Sequence, residues 1–426
     1  MGLKLRWLTM LAIVLGASAV AEHPIAEAQR HQQEANVAYQ AGDYEAFTRS
    51  MRRAYELNPA SFPTKYNLAC GYARTGRADE ALELLEQLAL AQVDFGMAHD
   101  PDLASLRDLP RFRELVATLE ASIVPINNST ELTTIPQYGI SPEGIATDSE
   151  TGRLFFGSMR TGQIFSIEPG GNYARFASVA ELGPYAAIGM TVDNEAGVLW
   201  VVGTWFFMAE GFDPESPEPS GLFGFDLETG QLARQYLVDV SVAGLNDVAV
   251  APNGDVYVSG GTLHVLKSGS DALQPVITSP EPFGSNGLTL DPNGETLFVS
   301  SYPVGIGAID LASGELRYLD APKDRPLYGI DGLYWYDGGL VGIQNGIQPW
   351  RLLRMQLNAD ITAVTNVSVI EFANDALLPM TGAIDDTSIH YIGRAPAPEN
   401  PPSQFPDTMA PFLGETVIMT APLELE

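Results

Sequence analysis

A single cysteine, Cys70, is all that 426 residues offer, so no internal disulfide can form and stability must come from packing or bound metal. Cys70 lies in an apolar helical stretch with no histidine close by, which reads as a buried structural thiol rather than a nucleophile. Histidine is scarce too, at five residues, which leaves little for a zinc site. Cationic side chains are heavily outnumbered: 23 Lys and Arg face 53 Asp and Glu, a net charge of −30. That balance excludes nucleic acid and anionic membrane surfaces as partners, since both need clustered positive charge. It favours solubility and leaves carboxylates to spare for a cation. Long apolar runs are missing beyond the first 21 residues. There Lys4 and Arg6 precede an apolar run from Trp7 to Leu15, and Ala19-Val-Ala21 has the small-x-small form of a cleavage site. The expectation is a signal peptide over 1–21, with mature protein exported to a periplasm or secreted, without a lipid anchor or membrane span.

What the chain has in quantity is glycine, 41 residues, and a repeat built around it. Six stretches align: Glu143-Gly-Ile-Ala-Thr-Asp148, Ile188-Gly-Met-Thr-Val-Asp193, Asn246-Asp-Val-Ala-Val-Ala251, Asn286-Gly-Leu-Thr-Leu-Asp291, Asp331-Gly-Leu-Tyr-Trp-Tyr336 and Thr381-Gly-Ala-Ile-Asp385. Most lead through a polar turn to a short apolar strand such as Val256-Tyr-Val258 or Leu297-Phe-Val299. The starts lie 45, 58, 40, 45 and 50 residues apart, a period that signals a radial β array. In a β-propeller the inner strands all begin at one mouth of a central channel, so equivalent positions converge. Here Glu143, Asn246, Asn286, Asp331 and Thr381 would meet as a ring of oxygens. Calcium takes six to eight oxygen ligands and accepts carboxylates and amides alike, which fits this ring far better than zinc does. A Pro-rich acidic insertion, Phe206 to Ser220, breaks the spacing in the second repeat and predicts a surface loop or a lid over the mouth.

Residues 22–121 read as helical. Gly42 and Gly76 close two similar helical units offset by 34 residues, a spacing that resembles the tetratricopeptide repeat, with Leu68, Tyr72, Leu85 and Leu88 as the apolar seam. Asp102 to Phe112 and Glu114 to Leu119 look like a capping helix pair. Residues 122–137 lose the helical period and predict either a linker or a strand that closes the ring against the last blade. The sequence thus predicts a multi-domain protein: a small all-α tetratricopeptide-like domain followed by an all-β six-bladed β-propeller over 138–426, with separable halves.

The ring residues carry a family resemblance. Over roughly 138–420 the chain resembles the senescence-marker/gluconolactonase propellers, the regucalcin-like family, with paraoxonases and diisopropylfluorophosphatase as distant relatives. The resemblance implies calcium held by Glu143 of Pro-Glu-Gly, Asn286 of Asn-Gly-Leu and Asp331 of Asp-Gly-Leu. It implies Asn246 and Asp247 as a further ligand or a substrate contact. It also implies lactone or ester hydrolysis, with phosphotriesters as a further substrate class. Gly244 stands where gluconolactonases often carry an Arg for a sugar-acid carboxylate, and His264 and His390 lie too far into their blades for a paraoxonase-type pair. Gln344-Asn345, Trp350-Arg351, Tyr328 and Trp205 are candidates for pocket lining. The functional expectation is a calcium-dependent hydrolase of a small-molecule lactone or ester, with Asp331 orienting or deprotonating the attacking water. The alternative is a non-catalytic propeller stapled by calcium whose helical repeats dock a protein partner.

Overall fold

The computed structural model describes residues 23–137, 139–240, 244–278, 280–374, 377–395 and 414–424; the expected signal segment lies outside them. The chain opens with two helical hairpins. Helices α1 (Pro24–Gln40) and α2 (Tyr44–Leu57) form the first, α3 (Phe62–Arg74) and α4 (Ala78–Leu90) the second. Their boundaries follow from capping chemistry. The Asp43 carboxylate accepts the Ala46 N–H, and the Ser61 hydroxyl accepts the Thr64 N–H just after Pro63 enters the first turn. Gly42 and Gly76, with φ of +74° and +78°, turn the chain at equivalent points of the two hairpins. Met51, Leu68, Leu82, Leu85 and Leu88 fill the helical core. The expected capping pair is only half helical: Pro101–Leu106 forms a tighter 3-10 turn, and α5 (Pro110–Ser122) follows. Among the described residues no helix is long and apolar enough to cross a membrane.

Six antiparallel sheets then form the blades of a propeller. The inner strands, blade I to blade VI, are Pro142–Thr147, Tyr185–Asp193, Leu245–Val250, Ser285–Leu290, Ile330–Tyr336 and Leu378–Ile384. Each packs on the next, and the sixth returns to the first. Apolar faces of neighbouring blades interlock; Val198, Trp200 and Val202 of blade II bury against Val256 and Val258 of blade III.

Residues 122–137 resolve into strands. Thr130–Ile135 pairs antiparallel with Thr416–Pro422 and becomes the outermost strand of blade VI, which closes the ring. Ile126–Asn127 adds a fifth strand to blade V beside Glu371 and Phe372.

The helical segment sits on blades IV and V and shares a core with them. Ile347 is buried among the helical side chains, and Tyr328 packs against Phe62 with ring centroids 6.1 Å apart. The Asn58 amide donates to the Pro303 carbonyl at 2.8 Å. Arg351, fully buried, donates from Nη2 to the Gln92 carbonyl at 3.0 Å and from Nη1 to Ala91 at 3.3 Å, just past the end of α4. A guanidinium placed there meets the negative end of the helix.

Candidate metal centre

Every inner strand carries the same defect near its start. Pairing with the second strand skips one residue between Pro142 and Ile145, Ala187 and Met190, Leu245 and Val248, Ser285 and Leu288, Ile330 and Leu333, and Pro379 and Gly382. Each is a β-bulge, a device that re-aims a side chain out of the strand. The first bulged residues are Glu143, Ile188, Asn246, Asn286, Asp331 and Met380, and these form the ring. Thr381 therefore does not belong to it. Register places Met380 there, and Thr381 takes the second bulge position, where its hydroxyl donates to the Glu143 carbonyl. The second bulge position is glycine in blades I, II and IV because it touches the neighbouring blade's backbone: a Cβ on Gly144 would lie 1.8 Å from the Ile188 carbonyl oxygen, and one on Gly189 2.4 Å from that of Asn246. Asp247 fills this position in blade III by bonding instead of clashing. Its carboxylate accepts the Val248 N–H at 2.9 Å and the Leu288 N–H at 3.4 Å.

The ring thus holds two carboxylates, Glu143 and Asp331, and two amides, Asn246 and Asn286. Asp331 is 5 % exposed, and its Oδ2 accepts the Asn345 Nδ2 at 2.6 Å. The Asn286 side chain also bonds it. Burial raises the Asp331 carboxyl to about 6, and burial together with the nearby Asp331 charge raises Glu143 well above the usual carboxylate range. Burial brings Asp247 to about 7 against the pull of its two N–H donors. The Arg394 guanidinium is the opposing charge near Glu143.

Two oxygens decide what the ring can do. Glu143 Oε2 and Asp331 Oδ1 are buried and meet no hydrogen-bond donor. Buried acceptors without donors are rare and costly, and two carboxylate oxygens from neighbouring groups repel each other. A hard cation relieves both penalties, so the residues present fit calcium. Asp247 does not join the same cluster: among the described residues, the only three acidic, histidine or cysteine ligand atoms within 4.8 Å of one another are those of Cys70, Asp100 and Asp102. That group is a hydrogen-bonded network, with Tyr66 donating to Asp100 at 2.8 Å and Tyr39 to Asp102 at 2.9 Å.

Below the ring the central channel opens into a cavity of about 530 Å³ lined by Asp247, Thr289, Tyr334 and Gly382, among others. The Tyr334 hydroxyl accepts the Gly382 N–H at 2.6 Å across blades V and VI. Above the ring, the insertion after Trp205 folds inward. Met208 and Ala209 bury against Ile188 and Met159, Glu210 pairs with Arg160, and the Trp205 and Phe212 rings meet tilted at 35° with centroids 4.5 Å apart. Its acidic tip, 213–218, is exposed.

Of the other candidates, Asn345 reaches the ring while Gln344 does not; Gln344 Nε2 ties the Pro326 and Tyr328 carbonyls at 2.7 Å each. Trp350 is core between blades V and VI, and Arg351 faces the helices. His264 is buried against the Thr262 carbonyl, and His390 pairs with Asp385 in a turn. Tyr302, whose hydroxyl donates to Asn345 Oδ1 at 3.1 Å, was not legible. It sits just beyond the second strand of blade IV, and only its position one residue past an inward-facing strand end would have flagged it.

Fold and ring together define a six-bladed propeller with an oxygen-lined, two-carboxylate ring at one mouth. No protein-family profile matches the chain, and no curated protein does. Solved structures that resemble it include a gluconolactonase from Xanthomonas campestris, at 15 % identity over 69 % of this chain and 89 % of that one, TM-score 0.46. They also include a calcium-binding protein, regucalcin, from Agrobacterium tumefaciens, at 12 % identity over 67 % and 92 %, TM-score 0.45. A luciferin-regenerating enzyme matches at 12 % identity over 71 % and 97 %, TM-score 0.46. Likeness of this degree says nothing about chemistry.

Proposed function

We propose that this protein is a calcium-dependent hydrolase of lactone or ester substrates, phosphotriesters included, working at the ring mouth, and that it is exported. The pair of donorless oxygens, Glu143 Oε2 and Asp331 Oδ1, carries the reading. Glu143, Asn246, Asn286 and Asp331 would hold calcium, which when bound polarises the substrate carbonyl. Asp331 orients the attacking water and takes its proton; water's oxygen bonds to the acyl carbon, the ring C–O bond breaks, and the proton goes to the departing alkoxide. Asn345 holds Asp331 Oδ2 and leaves Oδ1 without a donor. Tyr334 lines the channel beneath the ring, with its hydroxyl on the Gly382 N–H. Ile188, flanked by Met159, Met208 and Ala209, gives the mouth an apolar side for the substrate's carbon skeleton. Asp247 is proposed to set the blade III bulge that presents Asn246 to metal or substrate.

The test is a screen of mature protein against lactones, aryl esters and phosphotriesters, with calcium and with chelator. Calcium-dependent turnover of one class supports the reading. Tight calcium binding without turnover of any class would make the protein a calcium-stapled binding module.

A further inference from the structure

We propose that the helical segment is a working part of the ring site: it clamps both chain segments that carry the Asp331–Asn345 pair, so that metal occupancy and helix docking are linked. The inference rests on the ring being a calcium site. It starts from how Asp331 is held. Asn345 Nδ2 donates to Asp331 Oδ2 at 2.6 Å and to the Pro379 carbonyl at 3.1 Å. An amide can face either way, but Asp331 Oδ2 and the Pro379 carbonyl only accept, so they draw the nitrogen, and the Tyr302 hydroxyl then holds Asn345 Oδ1 from the other side at 3.1 Å. Asn345 and Tyr302 are therefore positioning residues, of the kind that orient a ligand from behind.

Both ends of this arrangement are gripped from the helices. Three residues before Asp331, Tyr328 packs on Phe62 of α3 and bonds the Ser61 hydroxyl, while its own ring lies 6.5 Å from that of Tyr302. Beside Tyr302, the Pro303 carbonyl accepts the Asn58 amide at 2.8 Å. Three residues after Asn345, the Gln348 carbonyl accepts the Asp94 N–H at 2.8 Å, and Arg351 holds the end of α4. Ile347, just before Gln348, is buried in the helical core. Gly329 and Gly346 leave the two segments in backbone contact, with the Gly346 N–H on the Gly329 carbonyl at 3.0 Å. A shift of the helices therefore moves the backbone on each side of the ligand. Blade V is thus held from α3 and α4, and the adjoining Tyr302–Pro303 turn of blade IV from the end of α2.

Linkage is reciprocal, so calcium must hold the helices as firmly as the helices hold the ring. The experiment uses the full chain, with calcium as the probe. Tyr302→Phe removes only a hydroxyl and should weaken calcium binding about tenfold to a hundredfold, the usual cost of a lost ligand-orienting contact. Phe62→Leu, far from the ring and conservative in the core, should weaken it about fivefold or more, within the usual range of coupling between sites. In wild-type protein, calcium should slow hydrogen exchange across Phe62–Arg74, and Phe62→Leu should reduce that slowing. Unchanged calcium affinity in both variants, with exchange in α3 indifferent to calcium, would overturn the proposal and leave the calcium hydrolase standing. Wild-type protein that binds no calcium would overturn both. Should Phe62→Leu prove unfolded by circular dichroism, the exchange experiment on wild type decides alone.

Discussion

Gly287 and Asp331 touch across two blades: a Cβ on Gly287 would sit 2.4 Å from the Asp331 carbonyl oxygen. The glycine is thus fixed by the ligand-bearing backbone of the next blade. Gly287→Ala should push blades IV and V apart, destabilise by about 1–3 kcal/mol as overpacking does, and weaken calcium binding as well. Thermal melting with and without calcium checks both effects. Gly338→Ala, where no atom lies within 4 Å of the added carbon, tests left-handed backbone strain without the clash and should spare calcium affinity.

Metal should stabilise the fold. A ligand bound only by the native state adds about 2.7 kcal/mol at a hundred times its dissociation constant. Differential scanning calorimetry in calcium and in chelator should therefore show melting points several degrees apart, and coincident curves for verifiably metal-free and calcium-loaded protein would count against the ring.

Acidity should act in opposite directions on the two forms. Asp331 has its carboxyl raised from 3.8 to about 6, and burial raises Glu143 in the same sense. A raised folded-state value means stability that is fully present below about 4 and is lost as pH climbs through about 6. Chelated protein should accordingly melt higher at pH 5 than at pH 7.5, and calcium should add less at pH 5, where protons compete for the same oxygens. Asp331→Asn should lose the Asp331 share of this pH response and keep that of Glu143 and Asp247, which melting curves at the two pH values would reveal.

Asp331→Asn also separates ligand from base. It keeps an oxygen and removes one charge, so calcium affinity falls. If Asp331 takes the proton from water, activity should stay about a hundredfold to ten-thousandfold down even at saturating calcium. Steady-state kinetics at rising calcium make the distinction: full recovery would keep the enzyme and release Asp331 from that role.

A chain beginning at residue 122 keeps both N-terminal strands of the propeller yet uncovers Ile347, Tyr328 and Arg351. We expect it to retain β structure by circular dichroism but to associate on gel filtration and bind calcium more weakly. A monomer with native affinity would show the halves to be separable.

The sequence made the radial repeat readable because a polar residue followed by glycine marks a bulge wherever neighbouring backbones press together. Blade VI shows where that signal misleads. Thr381-Gly382 imitates the dipeptide, but the bulge falls on Met380 and Thr381, since a threonine hydroxyl can bond the next blade's carbonyl where glycine would merely fit beneath it. The Asn345 amide was visible as a candidate, whereas Tyr302 and the helical clamp were not. Arg351 meets Ala91 across 260 positions of chain, and no local pattern encodes so distant a pairing.

Blade VI joins the chain's beginning to its end, since Thr130–Ile135 pairs with Thr416–Pro422. On a ribosome the first of these strands emerges with no mate, and its last residue precedes Thr416 by 281 positions (416 − 135). At about 5–20 residues per second that is a wait of roughly 15–55 seconds. Throughout it, one strand edge stays open to any other nascent chain. Closing the circle thus waits on the second strand, and whatever escorts this polypeptide must keep that edge company until Thr416–Pro422 has emerged.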